Sequence, residues 1–216
     1  MKQYRFFYVL ILFALIFVSC SKNDDPQYYS VLGTVFKTED STIVVSDEDE
    51  KLLVNNVGSM TNVDDEDRLI VYFSIAEETV PEGIDYLIDV YNYSEVLFKP
   101  VLEITAEMAD SIGNDALQVK NLWLAKDYLN LNFEYYGNNE THFINLIRPD
   151  GEIPADTIEL EIRHNNNDDD LNYLMNGFVS FDLKSLRNEA ADSVVLHIKA
   201  KEYNSHVYDK YFTYKY

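Results

Sequence analysis

The sequence predicts an all-β protein, and three observations support this class. Hydrophobic residues make up 47% of the 216 residues and aromatic residues 14%, with 17 Tyr and 12 Phe, so the residue types that strands prefer are abundant. Apolar side chains recur mainly with period two, as in half-buried strands, and few runs have helical spacing. The chain has only 7 Gly and 5 Pro, and a chain of this apolar content is not expected to be disordered.

Five segments in the first part of the chain have the character of strands. Residues 68–75 are almost continuously apolar, which favours a central position, and 81–83 (Pro-Glu-Gly) is a turn. Five short strands within residues 29–100 predict a small closed barrel of the OB type. Their spacing fits an SH3-like barrel or half of a sandwich equally well. The five segments are 30–37, 42–46, 51–55, 68–75 and 86–99.

The pattern changes around residues 101–117, where 106–109 could form one helical turn. We therefore place a domain boundary near Pro100 and assign residues 101–216 to a second domain. Hairpin turns such as 137–139 separate alternating segments here, and 183–188 has the character of a helical turn. This spacing predicts a β-sandwich. Its strands are expected at 128–136, 142–148, 157–164, 177–182, 194–201 and 207–216.

The first 19 residues predict a secretory signal peptide. Lys2 and Arg5 give a positive start, and the apolar run 6–18 has the length of a signal-peptide core but is short for a membrane span. Cys20 follows Val18-Ser19, which resembles the lipobox of bacterial lipoproteins, although Phe17 stands where Leu is usual. The resemblance implies cleavage before Cys20 and attachment of acyl chains to it, palmitate among them, and several chains anchor a protein stably.

Residues 20–28 are expected to form an acidic tether. Asp24 and Asp25 resemble the acidic export signal that follows the cysteine in surface lipoproteins of Bacteroidetes. The predicted location is the outer membrane, on the cell surface, with the periplasmic leaflet as the alternative. Cys20 is the only cysteine, so no disulfide can form within the chain.

The charge is strongly acidic, with 38 Asp and Glu against 17 Lys and Arg, a formal net charge of −21. Loss of Lys2 and Arg5 with the signal peptide would bring it to about −23. Such a charge argues against nucleic acid and anionic lipid as partners. It favours cationic partners through long-range attraction, with plain solubility as the simpler explanation.

A set of short motifs resembles the NigD-like lipoproteins of Bacteroidetes. The motifs are Gly33-Thr34-Val35, Leu52-Leu53-Val54, Asp67-Arg68-Leu69-Ile70-Val71, Trp123, Asp127-Tyr128-Leu129-Asn130-Leu131, Phe133, His142-Phe143, Leu160-Glu161-Ile162-Arg163-His164-Asn165 and Val179-Ser180-Phe181-Asp182-Leu183. The resemblance implies an N-terminal OB-like domain followed by a C-terminal β-sandwich. The family takes its name from a bacteriocin operon and has no settled biochemical activity.

Candidate metal ligands are few. The four histidines, His142, His164, His197 and His206, form no metal-binding motif, and we expect them to make local hydrogen bonds on strand faces. Asn167, Asp168, Asp169 and Asp170 offer oxygen ligands suited to Ca²⁺, but the segment lacks the Gly and Glu of an EF-hand loop. A solvated turn is the simpler expectation, so no metal or other cofactor is predicted.

No motif of an activated Ser or Cys nucleophile or of a phosphate-binding loop occurs in the sequence, and we predict that the protein is not an enzyme. A C-terminal aromatic group could form a stacking platform for sugars or a strand-addition surface, or could simply pack in the sandwich. Its members are Tyr208, Tyr211, Phe212, Tyr214 and Tyr216.

These observations lead to three hypotheses of function. The first is a non-catalytic, lipid-anchored envelope protein that binds or assembles with another polypeptide, with a cationic peptide as the attractive partner and a link to bacteriocin production or immunity. The second is a surface lipoprotein that binds glycans through exposed aromatic side chains. The third is a fimbria-like adhesin or anchor subunit, which would need a terminal strand that can be donated.

Overall fold

A computed structural model describes residues 27–76, 79–105, 108–149 and 157–216 of the protein. The predicted signal peptide, the lipidation site Cys20 and the export signal at Asp24 and Asp25 lie outside the described residues. Strands dominate the described part, so the all-β class is confirmed. No helix among these residues is long and apolar enough to cross a membrane.

The first five strands close into a barrel with the order β1-β2-β3-β5-β4. All neighbouring pairs are antiparallel except β3 and β5, and β4 returns to pair with β1. The predicted five-stranded barrel is therefore confirmed. The strands are β1 (Tyr28–Lys37), β2 (Thr42–Ser46), β3 (Lys51–Val54), β4 (Arg68–Ile75) and β5 (Tyr86–Glu95), and a 3-10 turn, Val57–Met60, follows β3.

The barrel core is small and aliphatic. Val35, Val44, Leu69, Val71 and Ile88 have no exposed area, and their alternation with outward side chains explains the period-two pattern of the sequence. At the first strand, a Cβ on residue 33 would lie 2.7 Å from the backbone oxygen of Val45, so only Gly fits there. This close approach lets β1 and β2 pack tightly where the barrel is narrow.

Nine further strands form a two-sheet sandwich, which confirms the second predicted domain type. One sheet has the order β14-β13-β11-β10-β7 and the other β6-β12-β9-β8. The strands are β6 (Leu97–Pro100), β7 (Leu102–Glu103), β8 (Gln118–Ala125), β9 (Tyr128–Gly137), β10 (Phe143–Arg148), β11 (Thr157–Asn165), β12 (Tyr173–Asp182), β13 (Ser193–Lys201) and β14 (Val207–Lys215). Short helical segments are α1 (Ala109–Ile112) and 3-10 turns at Lys184–Leu186 and Tyr203–Ser205.

The sandwich core is formed by the facing sides of the two sheets. Leu129, Leu131 and Phe181 from one sheet meet Leu160 and Leu196 from the other, and none of them has exposed area. Burial of large aliphatic and aromatic side chains is the main stabilising contribution here, at roughly 1.5–3 kcal/mol for each fully buried one.

The single long strand expected at residues 86–99 is two strands in the structure. Val96 is buried and its amide donates to the backbone oxygen of Arg68 at 2.9 Å, which ends β5. β6 then pairs in parallel with β12 of the sandwich. The chain therefore passes from barrel to sandwich at Val96, slightly before the position near Pro100 that the sequence suggested.

The barrel sits on the outer face of the sheet that contains β9 and β12. The end of the barrel near Thr34 contacts the beginning of β9 and the end of β12, a region that we call the junction. β9 runs away from the junction for about 30 Å to Gly137, at about 3.4 Å per residue. Gly137 and the start of β12 at Tyr173 pair there, and we call this part of the sandwich the distal end.

Candidate functional site

The junction is organised around a buried arginine. The Arg68 side chain has no exposed area, and its guanidinium donates to both carboxylate oxygens of Asp47 at 2.7 and 3.1 Å. It also donates to Asn130 Oδ1 and Thr34 Oγ1, both at 3.2 Å, and its Cζ lies 4.1 Å from the centroid of the Tyr128 ring. A buried cation is tolerated only with such pairing. The cluster therefore fixes the barrel to the sandwich.

On the sandwich side, Asn130 forms the hydrogen bonds to the barrel. Its Nδ2 donates to Asp47 Oδ2 at 2.9 Å, and its Oδ1 accepts from Ser180 Oγ at 2.6 Å as well as from Arg68. Asn130 and Ser180 have no exposed area. Because each polar side-chain atom of these two residues has a partner, the buried contact is stable and specific in geometry.

A cleft of about 330 Å³ opens beside the junction. Three lysines line it, Lys51, Lys126 and Lys184, together with three aspartates. Asp49 pairs with Lys126 at 2.5 Å, Asp47 with Arg68, and Asp127 with Arg187. Because the carboxylates are used by neighbouring cations, the cleft presents mixed charge and no convergent catalytic group among the described residues.

The distal end contains a chain of hydrogen bonds between two histidines and an aspartate. His164 Nδ1 lies 3.2 Å from the backbone oxygen of Ala116, so this nitrogen is the donor and Nε2 is free to accept. His142 Nδ1 lies 2.9 Å from His164 Nε2, so one of these two nitrogens donates to the other. The other nitrogen of His142, Nε2, faces Asp169 Oδ2 at 3.1 Å. The geometry thus links the Ala116 carbonyl, His164, His142 and Asp169 in one continuous chain.

Asp169, in the loop between β11 and β12, connects this chain of hydrogen bonds to the loop between β9 and β10. Its carboxylate accepts from the backbone amides of Asn138 and Asn139 in addition to His142. Burial alone would raise the pKa of Asp169, but these hydrogen bonds outweigh it and lower that pKa to about 2. Burial also lowers the pKa of His164, against a smaller opposite effect of the Ala116 carbonyl. The two loops are therefore joined by a carboxylate that stays ionised in moderate acid.

The structure gives another role to the segment 167–170, which the sequence offered only as a weak candidate for calcium. Asp169 points to His142, while the amides of Asn167 and Asp168 donate to side-chain oxygens of Asn165 and Asn166 within the loop. Asn167 and Asp168 have positive φ angles of 54° and 57°, which Asn and Asp tolerate better than most residues. Across the described ranges, no three or more His, Cys, Asp or Glu side chains converge as a metal site would require.

The start of β12 is an open strand edge. β9 pairs with β12 along its whole length, but on the other side β6 reaches only Val179–Asp182. Within the described residues, no strand pairs with the outer edge of positions 173–178. Tyr173 is 64% exposed and Leu174 54%, and Met175 is exposed as well. The distal end therefore combines unpaired backbone groups with exposed apolar side chains.

The predicted stacking platform at the C-terminus does not form as a group of five rings. Alternation along β14 turns Tyr208, Phe212, Tyr214 and Tyr216 towards the core, where Tyr214 is only 1% exposed. Tyr214 donates to Asp127 at 2.6 Å. Tyr211 alone lies on the outer face, at 64% exposure. The correction has a simple cause, because successive side chains of a strand point to opposite faces.

On the outer face, Tyr211 covers His197, which lies between two carboxylates. Its ring stacks on His197 at 4.0 Å with 7° between the planes. His197 Nδ1 lies 2.8 Å from Glu159 Oε1 and its Nε2 2.8 Å from Asp209 Oδ1. Burial lowers the pKa of His197, but the two carboxylates outweigh this and raise it. The two carboxylates and the ring together form a local ion pair cluster.

The family model of the NigD-like C-terminal beta sandwich domain matches residues 100–214, which is more than half of the chain. The chain belongs to this NigD-like family. No curated protein sequence matches it. The resemblance inferred from the sequence motifs is thus confirmed.

Solved structures with the same fold come from species of Bacteroides and Parabacteroides. A protein of Parabacteroides distasonis described as toxin related is 26% identical, with a TM-score of 0.74 over 88% of this chain and 94% of that chain. A NigD-like immunity protein of Bacteroides caccae is 16% identical, with a TM-score of 0.63 over 88% and 97%. A protein of Bacteroides fragilis described as a lipoprotein is 12% identical, with a TM-score of 0.62 over 88% and 98%.

The polar residues of the motifs that carried the NigD-like resemblance include several that fall at two places in the structure, while many of the apolar ones lie in the two cores. Arg68, Tyr128, Asn130 and Ser180 meet at the junction, and His164 belongs to the distal end. No local pattern connects these positions, because their contacts span up to 62 residues of chain. In this NigD-like protein the motifs therefore mark the joint between barrel and sandwich and the support of the distal loops.

Proposed function

We propose that this NigD-like protein is a non-catalytic, lipid-anchored envelope protein that binds a basic polypeptide at the distal end of its sandwich. One observation carries the proposal: the outer edge of β12 at positions 173–178 has no strand partner among the described residues and is flanked by exposed apolar side chains. Natural proteins usually protect such an edge, because any extended chain can pair with it.

Strand addition suits this edge. An incoming extended segment would pair its backbone with β12 and place alternate side chains beside Leu174 and Asn176 or beside Tyr173 and Met175. The edge is backed by a full antiparallel pairing with β9, so it is held in an extended form before binding. A preformed edge lowers the ordering cost on one side of the interface.

The charge of the protein supports a basic partner. The net charge is −21, and the exposed Asp168 and Asp170 lie in the loop that leads into β12. Long-range attraction of this kind raises association rates with cationic partners and falls steeply with salt. We therefore expect a segment rich in Lys or Arg next to the residues that pair with β12.

The structural relatives support an immunity type of role and a lipid anchor. One relative is described as a NigD-like immunity protein, one as toxin related and one as a lipoprotein. We extend the lipoprotein character to this chain on the strength of Val18-Ser19-Cys20 and propose the outer membrane surface as its location. Asp24 and Asp25 would then serve as the export signal.

The proposal includes no catalysis. The most plausible reactive group of the distal end consists of His142, His164 and Asp169. Their side chains form hydrogen bonds with one another and with backbone groups. Such a group holds loops together. We propose no cofactor for the same reason.

Glycan binding is a second candidate, and one observation favours it. On the outer face of the sheet, the half-buried Trp123 packs against Phe178 with their ring centroids 5.7 Å apart. Exposed Asn121 and Asn132 lie opposite each other beside this pair. Aromatic faces and amide groups are the side chains that stack on sugars and bond to their hydroxyls.

The test is photo-crosslinking in intact cells that produce the full chain. A photoreactive amino acid at Leu174 should capture a basic polypeptide, and the same amino acid at Tyr211, an equally exposed site on the other sheet, should not. Leu174→Lys with Met175→Lys should abolish capture from a neighbouring photoreactive site at Tyr173, because added cations repel a basic segment. Failure to capture any polypeptide at Leu174, or equal capture at Tyr211, would overturn the proposal; capture of carbohydrate at Asn132 would support the second candidate.

A further inference from the structure

The free end of the barrel carries a cluster of aromatic side chains. Tyr28 is 61% exposed and Tyr91 55%, and their rings meet edge to face with centroids 4.9 Å apart. The ring centroid of the half-buried Tyr72 lies 6.3 Å from that of Tyr91. Tyr29 points to the other face of β1, where it stacks on the core residue Phe73, and is not part of this group. We call Tyr28, Tyr72 and Tyr91 the tyrosine cluster. Exposed aromatic side chains in a contiguous group usually mark an interaction surface.

Strand register places the tyrosine cluster at the end of the barrel that faces away from the junction. Tyr28 pairs with Ser74 near the end of β4, whereas Thr34, at the junction, pairs with Arg68 at its start. Ile75 and Tyr86, which are also exposed, lie at the same end because they are the last residue of β4 and the first of β5. The apolar character of this end is therefore broader than the three tyrosines alone.

The residues before Tyr28 limit how far this end of the barrel can be from Cys20. The roughly eight residues from Cys20 to Tyr28 can span at most about 28 Å, because an extended chain covers about 3.5 Å per residue. If Cys20 carries the lipid, as proposed above, the tyrosine cluster lies at the exit of the tether and within that distance of the bilayer. A short tether gives a high effective concentration of the membrane surface next to the cluster.

We infer that the tyrosine cluster rests on the headgroup region of a zwitterionic lipid surface and orients the barrel on the membrane. Tyrosine suits this region because its ring is apolar and its hydroxyl is polar, and it is enriched at membrane–water interfaces. The exposed Glu82 and Asp85 at the same end disfavour anionic lipid, which is why the inference is restricted to neutral headgroups. This inference rests on the proposed lipid anchor.

Membrane docking of the barrel complements the proposed binding site. Tyr28 lies on the barrel, at the end of β1 remote from Thr34. The open edge lies on the sandwich and begins where Tyr173 pairs with Gly137, at the end of β9 remote from Tyr128. A barrel that rests on the lipid therefore leaves the open edge of β12 accessible to a partner in solution.

Brominated lipids test the inference directly, since they quench tryptophan that reaches the headgroup or acyl region. The protein starting at Cys20 carries Trp123→Phe, which removes the only tryptophan, and Tyr91→Trp, which places a single indole in the tyrosine cluster. Its thiol is coupled to a maleimide lipid in nanodiscs of brominated phosphatidylcholine. We expect at least two-fold quenching of the indole introduced at position 91 relative to the uncoupled protein, and less when phosphatidylglycerol replaces most of the phosphatidylcholine.

The matched control carries the single tryptophan at position 211 (Tyr211→Trp), which is similarly exposed but lies on the sandwich, where no quenching is expected. Adding Tyr28→Ser and Tyr72→Ser to the Tyr91→Trp protein should reduce its quenching. Hydrogen exchange of the otherwise unsubstituted chain gives a second readout, with slower exchange of the amides of β5 expected on coupling. An unquenched indole at position 91 in the coupled, folded protein would overturn the inference.

The experiment separates this inference from the proposed function. Chemical coupling supplies the anchor, so docking is measured whether or not the cell acylates Cys20. The mass of the protein purified from its native membrane reports acylation separately, and crosslinking at Leu174 reports the partner.

Discussion

At the scale of single residues, buried polar contacts determine how the barrel is positioned on the sandwich. Arg68 brings one cation into the buried boundary between barrel and sheet, and it does so with four partners in place. Such a group contributes geometry more than net stability, because desolvation offsets much of the attraction. Its value lies in allowing only one arrangement of the two parts.

Removal of Arg68 should therefore be costly. Arg68→Met leaves the Asp47 carboxylate, which is only 7% exposed, without its cation, and we expect the free energy of unfolding to fall by about 3–5 kcal/mol. Urea denaturation measures the loss. Arg148→Met is the control, because its ion pair with Glu103 is solvent-exposed and should contribute under about 1 kcal/mol. Equal losses for the two variants would show that the junction is not an essential contact.

The two buried histidines of the larger sheet should titrate in opposite directions from the ordinary pKa of 6.5. The pKa of His197 is raised, so its contribution to stability is present below pH 6.5 and is lost as the pH rises through its folded value. The pKa of His164 is lowered, so its contribution is present above pH 6.5 and is lost as the pH falls through its folded value.

An NMR titration of the histidine ring protons measures both midpoints. We expect the midpoint of His197 above that of His164, with Asp209→Asn moving only the His197 midpoint downward, because it removes one of the two carboxylates. A His164 midpoint above that of His197 would contradict the opposite effects expected from burial at His164 and from the two carboxylates at His197.

At the scale of elements, β12 shows how close the packing between strands is. Gly177 lies opposite Phe133 of β9, and a Cβ on residue 177 would stand 2.3 Å from the ring atom Cζ. The ring lies across the strand and fills the place of a side chain. This contact adjoins the open segment and supports its pairing with β9.

Gly177→Ala should therefore destabilise the sandwich by about 1–3 kcal/mol, since the ring of Phe133 must move. Gly58→Ala is a matched control, because a Cβ there meets no atom within 4 Å, and its effect should be within about 0.5 kcal/mol. Chemical denaturation of both variants measures the difference. No difference between them would indicate that the ring shifts without cost.

The elements that the sequence predicts well are those with regular alternation. β9, β11 and β13 alternate along their whole length, and their predicted bounds agree closely with the observed ones. The sequence does not predict β8, because Lys120 forms a bulge between Val119 and Asn121 and interrupts the alternation. It does not predict the first part of β12 either, because Tyr173, Leu174 and Met175 are consecutive and exposed on both faces, so the sequence shows no alternation there.

The candidate site is harder to predict than the fold, for a physical reason. His142 and His164 meet because Ile144 of β10 pairs with His164 of β11, and strand register of this kind is set by the whole sheet. An open edge likewise depends on how far a neighbouring strand extends, in this case β6. Neither property is present in a local stretch of sequence, although the family motifs contained several of the residues concerned.

At the scale of the whole molecule, the junction should make barrel and sandwich unfold together. Asn130 on the sandwich bonds to Arg68 and Asp47 of the barrel, and Asn130 and Arg68 are buried. A calorimetric scan of the unsubstituted protein is expected to show one transition. Asn130→Ala should lower its temperature and separate it into two, because Arg68, Asp47 and Ser180 each lose a partner.

The control for this experiment is Asn132→Ala. Asn132 lies on the same strand and points to the same side, but it is exposed. Its substitution should leave a single transition at nearly the original temperature. Two transitions in the unsubstituted protein would mean that the junction transmits little stability.

The layout of the strands along the chain also has a consequence for how the protein folds during export. All five strands of the barrel come from one continuous stretch, which closes on itself before Val96. The sandwich differs, because β6 at Leu97 can pair with β12 only after Val179 has been exported. In the same way, β11 can pair with β13 only after β13 has been exported. In a chain that crosses a membrane with its N-terminus first, the barrel is complete while the sandwich strands are still emerging. Only the sandwich strands are then unpaired during export, since the closed barrel already presents no open edge to other chains.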